Sequence, residues 1–451
     1  MSKVVILGSG LTGISAAYHL EKKGFLNFKI FEKESVAGGL CRTIIQDGYT
    51  FDYTGHLLHI NDPYFEKLIK EVVNLESFEK VYRRSFIWSK NCYTHYPFQI
   101  NLKGLPEEFI AECIEGFVKR KKLKNPKSFY QWVQTHFGNG LGKHFFFPFQ
   151  NKIFDYDIKK ITPLWTGRFV PKTSLKEMIA GSLNYPKDQN VGYNNQFYYP
   201  KKGGIQYWVD KLKDRVQTKI ETNFEAKKID LKKKTVLFQN GHEEAFDILI
   251  NTIPLDTFLK ISKEPTNSTL KKAQTKLIAN SVVNFNLGIK DRNISDKHWI
   301  YFPENEYPFY RIGFPHNFTK SAVPDGCSSL YGEFSFVKKS KKVVEQKLAE
   351  SLKQAKKLLN ISQNEIATEK IINISHAYVI YNQWRDANLP KLHESLNRLG
   401  VHSVGRYGEW KYSSMQEAVL DGKAVVDKLF VKPAKKERIL FQKKLVTQKE
   451  I

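Results

Sequence analysis

The chain has 451 residues, which is too long for one simple core and predicts at least two domains. A hydrophobic fraction of 41% and an aromatic fraction of 14% exclude extended disorder. No apolar run reaches the roughly 18 residues that span a bilayer, and the chain opens directly on an apolar strand. We therefore expect no transmembrane segment, no signal peptide and a cytoplasmic location, where the four scattered cysteines are free thiols.

Basic residues exceed acidic ones by a wide margin. There are 71 Lys and Arg against 46 Asp and Glu, a formal net charge of +25. This surplus fits a basic cleft for an anionic substrate, a face that contacts nucleic acid or anionic lipid, or an ordinary lysine-rich surface. No nucleic-acid-binding motif accompanies the lysines, so we expect no nucleic-acid partner. The basic stretch 431–451 is a candidate for peripheral membrane contact.

The first 33 residues predict a strand, a glycine turn, a helix and a second strand. Gly8, Gly10 and Gly13 have G-x-G-x-x-G spacing directly after the apolar strand VVIL. They permit a tight turn, the approach of a pyrophosphate to the backbone, and close packing of helix on strand. The helix N-terminus offers free N–H groups to phosphate, and Glu32 at the end of the second strand can accept from ribose hydroxyls. This context predicts a dinucleotide site.

The stretch after the second strand indicates which dinucleotide cofactor the site binds. It contains Gly38-Gly39-Leu40-Cys41-Arg42 and then Tyr49-Thr50-Phe51-Asp52-Tyr53-Thr54-Gly55-His56. This pattern resembles the FAD-binding start of the superfamily of amine oxidases, phytoene desaturases and UDP-galactopyranose mutases. Two later segments, Pro200-Lys201-Lys202-Gly203-Gly204 and Gly405-Arg406, match further cofactor segments of that superfamily. The alternative for the first stretch is a surface turn with a solvated arginine.

The resemblance implies an α/β fold, in which a discontinuous Rossmann-type FAD-binding domain accompanies an inserted helical region and an antiparallel-sheet substrate domain. The expected boundaries are 1–60, 195–255 and 395–430 for the FAD-binding domain, 61–194 for the largely helical insertion, 256–394 for the substrate domain, and 431–451 for a basic tail. The positions that match cofactor contacts are Gly8, Gly10, Leu11, Thr12, Gly13, Glu32, Lys33, Gly39, Leu40, Arg42, Gly55, His56, Gly204, Gly405 and Arg406.

Further motifs, spread over about residues 3–430, are similar to UDP-galactopyranose mutases of the eukaryotic type. They are Thr54-Gly55-His56, Tyr96-Pro97-Phe98-Gln99, the stretch 193–200, Trp299-Ile300-Tyr301-Phe302-Pro303, Pro308-Phe309-Tyr310-Arg311 and the stretch 405–412. This resemblance implies a pyranose–furanose isomerisation of a nucleotide sugar that uses N5 of reduced FAD, with NAD(P)H as a candidate reductant. The expected partner is thus a small molecule.

The same resemblance assigns site residues. His56 matches the residue beside flavin N5, and Arg311 matches an arginine that binds the diphosphate. The candidate catalytic residues are His56, Arg311, Tyr310, Tyr378 and Tyr412, and the candidate substrate-binding residues are Tyr96, Gln99, Arg168, Asn194 and Tyr301. On physical grounds, an arginine in an aromatic strand is unfavourable to bury without an anion. A structural ion pair is the alternative for Arg311, and a hydrogen-bonded core histidine is the alternative for His56.

Several positions depart from the family pattern. The family's second diphosphate arginine lies in a W-x-G-x-R stretch, where this chain has Phe169 and carries Arg168 one residue early. One residue turns a helix by about 100°, so Arg168 need not point in the same direction. Phe154 stands at a family tryptophan. The departures leave open two other hypotheses, an FAD-dependent oxidoreductase of the amine oxidase or protoporphyrinogen oxidase type and a flavoprotein that only binds its ligand.

Overall fold

The computed structural model describes residues 2–167, 169–184, 195–263 and 268–430. The helices within these ranges are α1 (Leu11–Lys22), α2 (Pro63–Val72), α3 (Glu107–Val118), α4 (Phe129–His136), α5 (Gly138–Leu141), α6 (Phe147–Phe154), α7 (Leu175–Leu183), α8 (Gln206–Lys213), α9 (Leu255–Ile261), α10 (Ser268–Lys276), α11 (Lys341–Leu358), α12 (Gln383–Arg398), α13 (Gly405–Gly408) and α14 (Met415–Phe430). The strands are β1 (Val4–Leu7), β2 (Phe28–Phe31), β3 (Thr43–Gln46), β4 (Tyr49–Asp52), β5 (Phe78–Tyr82), β6 (Ser85–Ser89), β7 (Cys92–His95), β8 (Gln196–Pro200), β9 (Ile220–Glu221), β10 (Ala226–Asp230), β11 (Thr235–Phe238), β12 (Glu243–Ala245), β13 (Ile248–Asn251), β14 (Ser262–Lys263), β15 (Ser281–Ile289), β16 (Trp299–Tyr301), β17 (Arg311–Gly313), β18 (Ser328–Phe336), β19 (Ile366–Ile374) and β20 (Val401–Ser403).

A five-stranded parallel sheet carries the glycine turn. Its strand order is β20-β13-β1-β2-β9, so it combines strands from both ends of the chain. β1 is buried on both faces: Val4 and Ile6 pack with α1 and α14, whereas Val5 and Leu7 join the large core on the other side. Burial on both faces is why this strand is continuously apolar. The predicted α/β fold with a Rossmann-type sheet is confirmed, while the predicted domain boundaries stay a prediction.

The last helix, α14, packs directly on α1. A Cβ atom at Gly422 would lie 2.5 Å from the Thr12 carbonyl oxygen, so only glycine permits this approach. The Ser15 hydroxyl donates to the Val419 carbonyl at 2.6 Å across the same interface. The C-terminal helix is therefore fixed to the helix that follows the glycine turn.

The second large sheet has seven strands in the order β19-β15-β18-β17-β16-β6-β7. Its apolar face, with residues such as Phe285 and Ile312, packs on side chains of α11. On the opposite face, the strand register aligns four polar residues in one row across the sheet, in the order Asn284, Glu333, Arg311 and Tyr301. Directly opposed residues in a sheet point to the same side, so this row forms a polar face.

The region between β7 and β8 is mainly helical and rich in buried aromatic rings. The first helix of this region, α3, ends at Val118. Pro106 is its N-cap, and the basic run that begins at Lys119 contains a single aliphatic side chain before Pro126, Leu123, which is exposed. Gly140 of α5 crosses α3 so closely that a Cβ atom there would lie 2.1 Å from the Glu112 carbonyl oxygen.

The structure also bears on the expectations for membrane-spanning helices and for the cysteines. No helix in the described part of the chain has both the length and the hydropathy to cross a bilayer. All four cysteines are free. The basic tail 431–451 lies outside the described residues, so its membrane contact stays a prediction.

Candidate functional site

The glycine turn before α1 brings three separate segments of backbone together. A Cβ atom on Gly39 would lie 3.1 Å from the Cα atom of Gly10. Gly405 has φ +82°, and a Cβ atom there would lie 2.4 Å from the Thr12 hydroxyl oxygen. The segments that contain Gly10, Gly39 and Gly405 thus surround the N-terminus of α1 without intervening side chains, and together they form the glycine cradle. The free N–H groups of the first turn of α1 face this cradle, which suits a pyrophosphate.

Glu32 lies at the end of β2, beside the same turn. Its Oε2 atom accepts from the Ser9 backbone N–H at 2.8 Å and from the Ser9 hydroxyl at 2.9 Å. Its Oε1 atom accepts from the Glu34 N–H at 3.0 Å. A carboxylate has about four acceptor sites, so Glu32 keeps acceptor capacity for a ribose hydroxyl.

Arg42 is held in place rather than solvated. Its Nε donates to the Gly39 carbonyl at 2.9 Å, and its guanidinium lies 4.7 Å from the centre of the Tyr53 ring. The alternative of a surface turn with a solvated arginine therefore does not describe this segment. Lys33 is exposed and pairs with Glu34 at 3.3 Å, and its role toward the cofactor stays a prediction.

Asp52 joins the end of β4 to the loop that contains Gly204. It accepts from the Thr43 hydroxyl at 2.6 Å, the Tyr199 hydroxyl at 2.7 Å and the Ile205 N–H at 3.2 Å. Burial raises the pKa of Asp52 from 3.8 to about 6, although these three donors partly oppose the shift. This carboxylate links two of the segments that the sequence predicted to contact the cofactor.

Replacing Asp52 by asparagine is expected to flatten the dependence of stability on pH. Because the folded pKa is above the unfolded value, the folded protein keeps a proton that the unfolded chain loses between about pH 4 and pH 6. Stability therefore falls as the pH rises through this window, by an amount on the order of 2–3 kcal/mol. Melting temperatures between pH 4 and pH 8 measure the effect. The exposed Asp214→Asn control should keep the wild-type profile, and an unchanged profile in Asp52→Asn would contradict the assignment.

His56 follows the Gly55 turn, which rests on the sheet. A Cβ atom on Gly55 would lie 2.3 Å from the Tyr331 hydroxyl oxygen. Burial, and then the charges of Arg406 and Arg311, lower the pKa of His56 to about 4, so the ring is neutral at pH 7. Its Nδ1 atom is buried and has no hydrogen-bond partner among the described residues. A core histidine normally has such an atom paired, so the geometry favours a ligand next to the ring.

Arg311 forms an ion pair with Glu333, the residue opposite it in the sheet. Nη2 donates to Oε1 at 2.8 Å and Nε donates to Oε2 at 3.1 Å. The Glu333 side chain is fully buried, whereas that of Arg311 is 17% exposed. Burial acts to lower the pKa of Arg311, but Glu333 and the surrounding tyrosines hold it well above its ordinary value. The structural ion pair considered as the alternative is thus present.

The ion pair still leaves part of Arg311 available. Nη1 has no hydrogen-bond partner among the described residues, because the two contacts to Glu333 use Nε and Nη2. Sequence reasoning missed Glu333, although it is the single charged residue in the otherwise uncharged strand SSLYGEFSF. It also missed Asn284, which is fully buried next to Glu333 in the row and whose Nδ2 atom is unpartnered within the described ranges.

Two of the predicted tyrosines, Tyr310 and Tyr378, lie beside this pair, and Tyr412 packs on Tyr378. Burial raises the pKa of Tyr310, Tyr378 and Tyr412, so all three remain protonated donors at neutral pH. The rings of Tyr378 and Tyr412 have centres 6.1 Å apart. The Tyr412 hydroxyl is buried and, in the described part of the chain, makes no hydrogen bond. An unpaired buried hydroxyl is unfavourable, so a ligand oxygen would stabilise it.

Arg406 covers the tyrosines from the C-terminal segment. Its guanidinium lies 5.9 Å from the ring centre of Tyr378 and 5.5 Å from that of Tyr412. Nη1 donates to the Ser413 carbonyl at 2.9 Å and Nη2 to the Ala377 carbonyl at 3.1 Å. These neutral acceptors orient the arginine without cancelling its charge.

The remaining predicted residues divide into three groups. Tyr301 lies opposite Arg311 in the register, and its ring centre is 5.4 Å from that of Tyr96. Gln99 is buried and donates to the Pro171 carbonyl at 2.6 Å, so the structure shows it as an anchor of the chain near Phe169. Arg168 and Asn194 lie outside the described residues.

Residues 11–429 match the family described as flavin containing amine oxidoreductase. The chain belongs to this family. It is similar to a solved structure of reduced UDP-galactopyranose mutase, with 26% identity, a TM-score of 0.88 and coverage of 95% of this chain and 94% of that one. Among curated proteins, it is 22% identical to coproporphyrinogen III oxidase of Staphylococcus aureus over 65% of this chain and 69% of the oxidase. It is 28% identical to 1-hydroxycarotenoid 3,4-desaturase of a Flavobacterium species over 30% of this chain, which spans only 28% of the desaturase.

The family identifies the cofactor as a flavin, and the site fits FAD. The glycine cradle would be filled by a Cβ atom at Gly39 or Gly405, as expected where a pyrophosphate lies against backbone. Glu32 keeps acceptor capacity at the end of β2, and the buried Nδ1 of His56 has no hydrogen-bond partner among the described residues, so both can bind a polar group of the cofactor. The protein is therefore an FAD-dependent enzyme of a superfamily that includes oxidoreductases and a mutase. Which residues contact the cofactor stays a prediction.

Proposed function

We propose that this enzyme is a mutase that interconverts the pyranose and furanose forms of the sugar in a nucleotide sugar. The polar face of the seven-stranded sheet supports the proposal most strongly. There, Nη1 of Arg311 has no partner among the described residues, and the protonated tyrosines Tyr310 and Tyr378 lie beside the arginine. Tyr412, also protonated, packs on Tyr378. Such donors suit the oxygens of a diphosphate and a sugar, whereas an apolar substrate would leave Nη1 of Arg311 and the Tyr412 hydroxyl unpaired.

In this proposal, each residue has a role that its surroundings support. Arg311 binds a diphosphate oxygen through Nη1, while Glu333 fixes the plane of the guanidinium. The tyrosines donate to phosphate and sugar oxygens. His56 remains neutral, because its pKa is about 4, and offers one ring nitrogen to the reacting end of the site. Bound FAD supplies a nucleophilic N5 atom when it is reduced, and we propose NAD(P)H as the reductant.

Turnover of a nucleotide sugar by the reduced protein tests the function. The purified flavoprotein is reduced with dithionite without oxygen, and UDP-galactopyranose and other nucleotide sugars are then added. We expect an isomerised sugar in chromatography of the products while the flavin spectrum stays reduced. Absence of binding of every nucleotide sugar, in both redox states, would contradict the proposal.

A second candidate, an FAD-dependent oxidoreductase, is favoured by the wall around Tyr412. The rings of Trp165, Phe169 and Phe154 have centres 5.8, 6.1 and 6.4 Å from that of Tyr412. Phe169 lies at the position where the mutase family has an arginine. These three aromatic rings around Tyr412 therefore suit a less polar substrate. The anaerobic flavin assay also distinguishes the mutase from the oxidoreductase. A substrate of an oxidoreductase bleaches the oxidised flavin, whereas a substrate of a mutase leaves the oxidised flavin unchanged.

Replacing Tyr412 by phenylalanine is expected to weaken UDP binding by about ten- to a hundredfold. The hydroxyl donates to no described residue, so its removal should leave the melting temperature and the FAD content unchanged while a ligand phosphate loses a donor. Isothermal titration with UDP measures the affinity. Tyr82→Phe, which changes an exposed tyrosine, is the matched control. A wild-type UDP affinity in Tyr412→Phe would show that the Tyr412 hydroxyl does not bind the ligand.

A further inference from the structure

The segment between α3 and α4 is strongly basic. Residues 119–127 have the sequence KRKKLKNPK, with Lys or Arg at six positions and no acidic residue. The preceding helix, in contrast, carries Glu107, Glu108, Glu112 and Glu115. Positive charge is thus concentrated at the C-terminal end of α3.

The cations of this segment differ in how they are held. Lys119 pairs with Glu115, and Arg120 folds back so that its guanidinium lies 3.9 Å from the ring centre of Phe117. Its Nη1 atom also donates to the Phe117 carbonyl at 2.6 Å. The other four cations, Lys121, Lys122, Lys124 and Lys127, are exposed, and no described carboxylate pairs with them. Their charges are therefore available to a partner.

Two exposed apolar side chains lie among these cations. The exposed fraction is 59% for Val118 and 41% for Leu123. Leu123 lies between Lys122 and Lys124, and Val118 ends α3 directly before Lys119. Isolated exposed aliphatic residues are ordinary, but here two of them are flanked by unpaired positive charge.

We propose that residues 118–127, the basic segment, dock the protein on an anionic lipid surface. Lysines close to negatively charged headgroups are attracted individually, and aliphatic side chains between them can enter the boundary of the acyl chains. The segment contains no aromatic ring on which a nucleic-acid base could stack, and it is not a helix or strand that could enter a groove. Lipid therefore fits this surface better than nucleic acid.

The charges of α3 also determine the orientation. An interfacial helix that lies flat presents its polar face to the headgroups. α3 cannot do so on an anionic surface, because its exposed side chains include Glu107, Glu108 and Glu115. With 12 residues, α3 is about 18 Å long, so end-on docking keeps the glutamates of its first turn away from the lipid. The protein would thus contact the surface by the tip of α3 and the basic segment.

Binding of the full-length flavoprotein to lipid vesicles tests the proposal. Vesicles of phosphatidylcholine with 30% phosphatidylserine, a composition on the order of that of anionic membrane leaflets, are compared with pure phosphatidylcholine in a co-sedimentation assay. We expect binding to the anionic vesicles only, with release as salt is raised from about 0.05 to 0.5 M. The variant Lys121→Gln/Lys122→Gln/Lys124→Gln should bind about a hundredfold more weakly. Leu123→Ser should weaken binding without changing the salt dependence.

The matched control removes the same charge elsewhere. Lys342, Lys353 and Lys357 are exposed on α11, and the variant Lys342→Gln/Lys353→Gln/Lys357→Gln should bind anionic vesicles as the wild type does. Equal losses in both triple variants would show attraction by net charge alone and overturn the proposal. Wild-type binding by the first variant would assign any lipid contact to another region, such as the tail 431–451. The last outcome concerns nucleic acid. If the protein binds a single-stranded oligonucleotide of about 30 nucleotides more tightly than anionic vesicles, nucleic acid is the partner and the lipid proposal is overturned. Equal FAD content and melting temperatures show that the variants are folded.

Discussion

Replacing Arg311 by alanine is expected to lower the free energy of unfolding by about 3–5 kcal/mol. The variant leaves the Glu333 carboxylate fully buried without its partner, on a sheet face where Asn284 is its neighbour. It also removes the donor proposed for a diphosphate oxygen, so UDP binding should fall by at least a hundredfold. Urea unfolding, followed by circular dichroism and by flavin release, measures the first effect, and calorimetry measures the second.

Two further variants separate charge pairing from simple truncation. Arg398→Ala removes an arginine whose pair with Glu394 is exposed on a helix, and the expected loss is below about 0.5 kcal/mol. The double variant Arg311→Met/Glu333→Gln removes both buried charges and should recover much of the stability but not the UDP affinity. A loss below about 1 kcal/mol in Arg311→Ala would mean that the buried carboxylate is compensated in another way.

Replacing Gly13 by alanine is expected to abolish stable FAD binding. A Cβ atom at this position would lie 2.0 Å from the Gly8 carbonyl oxygen and 3.0 Å from its carbonyl carbon. Both atoms belong to the backbone, so the turn and α1 must move apart, at a cost of about 3 kcal/mol or more. The cradle for the pyrophosphate would be distorted by the same movement. Flavin absorbance per protein after gel filtration and the melting temperature are the measurements.

Gly167→Ala is the control for this substitution. Among the described residues, no heavy atom beyond the chain neighbours of Gly167 lies within 4 Å of a Cβ atom there, so the expected change is within about 0.5 kcal/mol. A Gly13→Ala protein that purifies with the wild-type content of FAD would contradict the close packing of α1 on β1.

The local parts of the site could be predicted from the sequence because their signals are local. The spacing of Gly8, Gly10 and Gly13 after an apolar strand predicts a turn whose geometry depends on these few residues, and Glu32 follows at the end of the next strand. The structure has the strand, turn, helix and strand in that order. The family match over residues 11–429 agrees with the flavin that this pattern suggested.

The contacts between distant strands could not be predicted in the same way. Arg311 could be read as an anion-binding residue or as half of an ion pair, and the choice depends on the register of β17 against β18, which brings Glu333 opposite it. Gln99, a predicted substrate-binding residue, donates to the Pro171 carbonyl, and its contact with a substrate stays a prediction. In both cases, the partner is many residues away in the chain, and residue type alone does not specify it.

The course of the chain through the five-stranded sheet has a consequence for biosynthesis. β1, β2, β9 and β13 lie within the first 251 residues, whereas β20 and Gly405 follow position 400. A nascent chain that has left the ribosome as far as β13 has four strands of the sheet, but it lacks the backbone that packs on Thr12 and the helix that packs on α1. We therefore expect stable binding of the flavin only once almost the whole polypeptide has been synthesised.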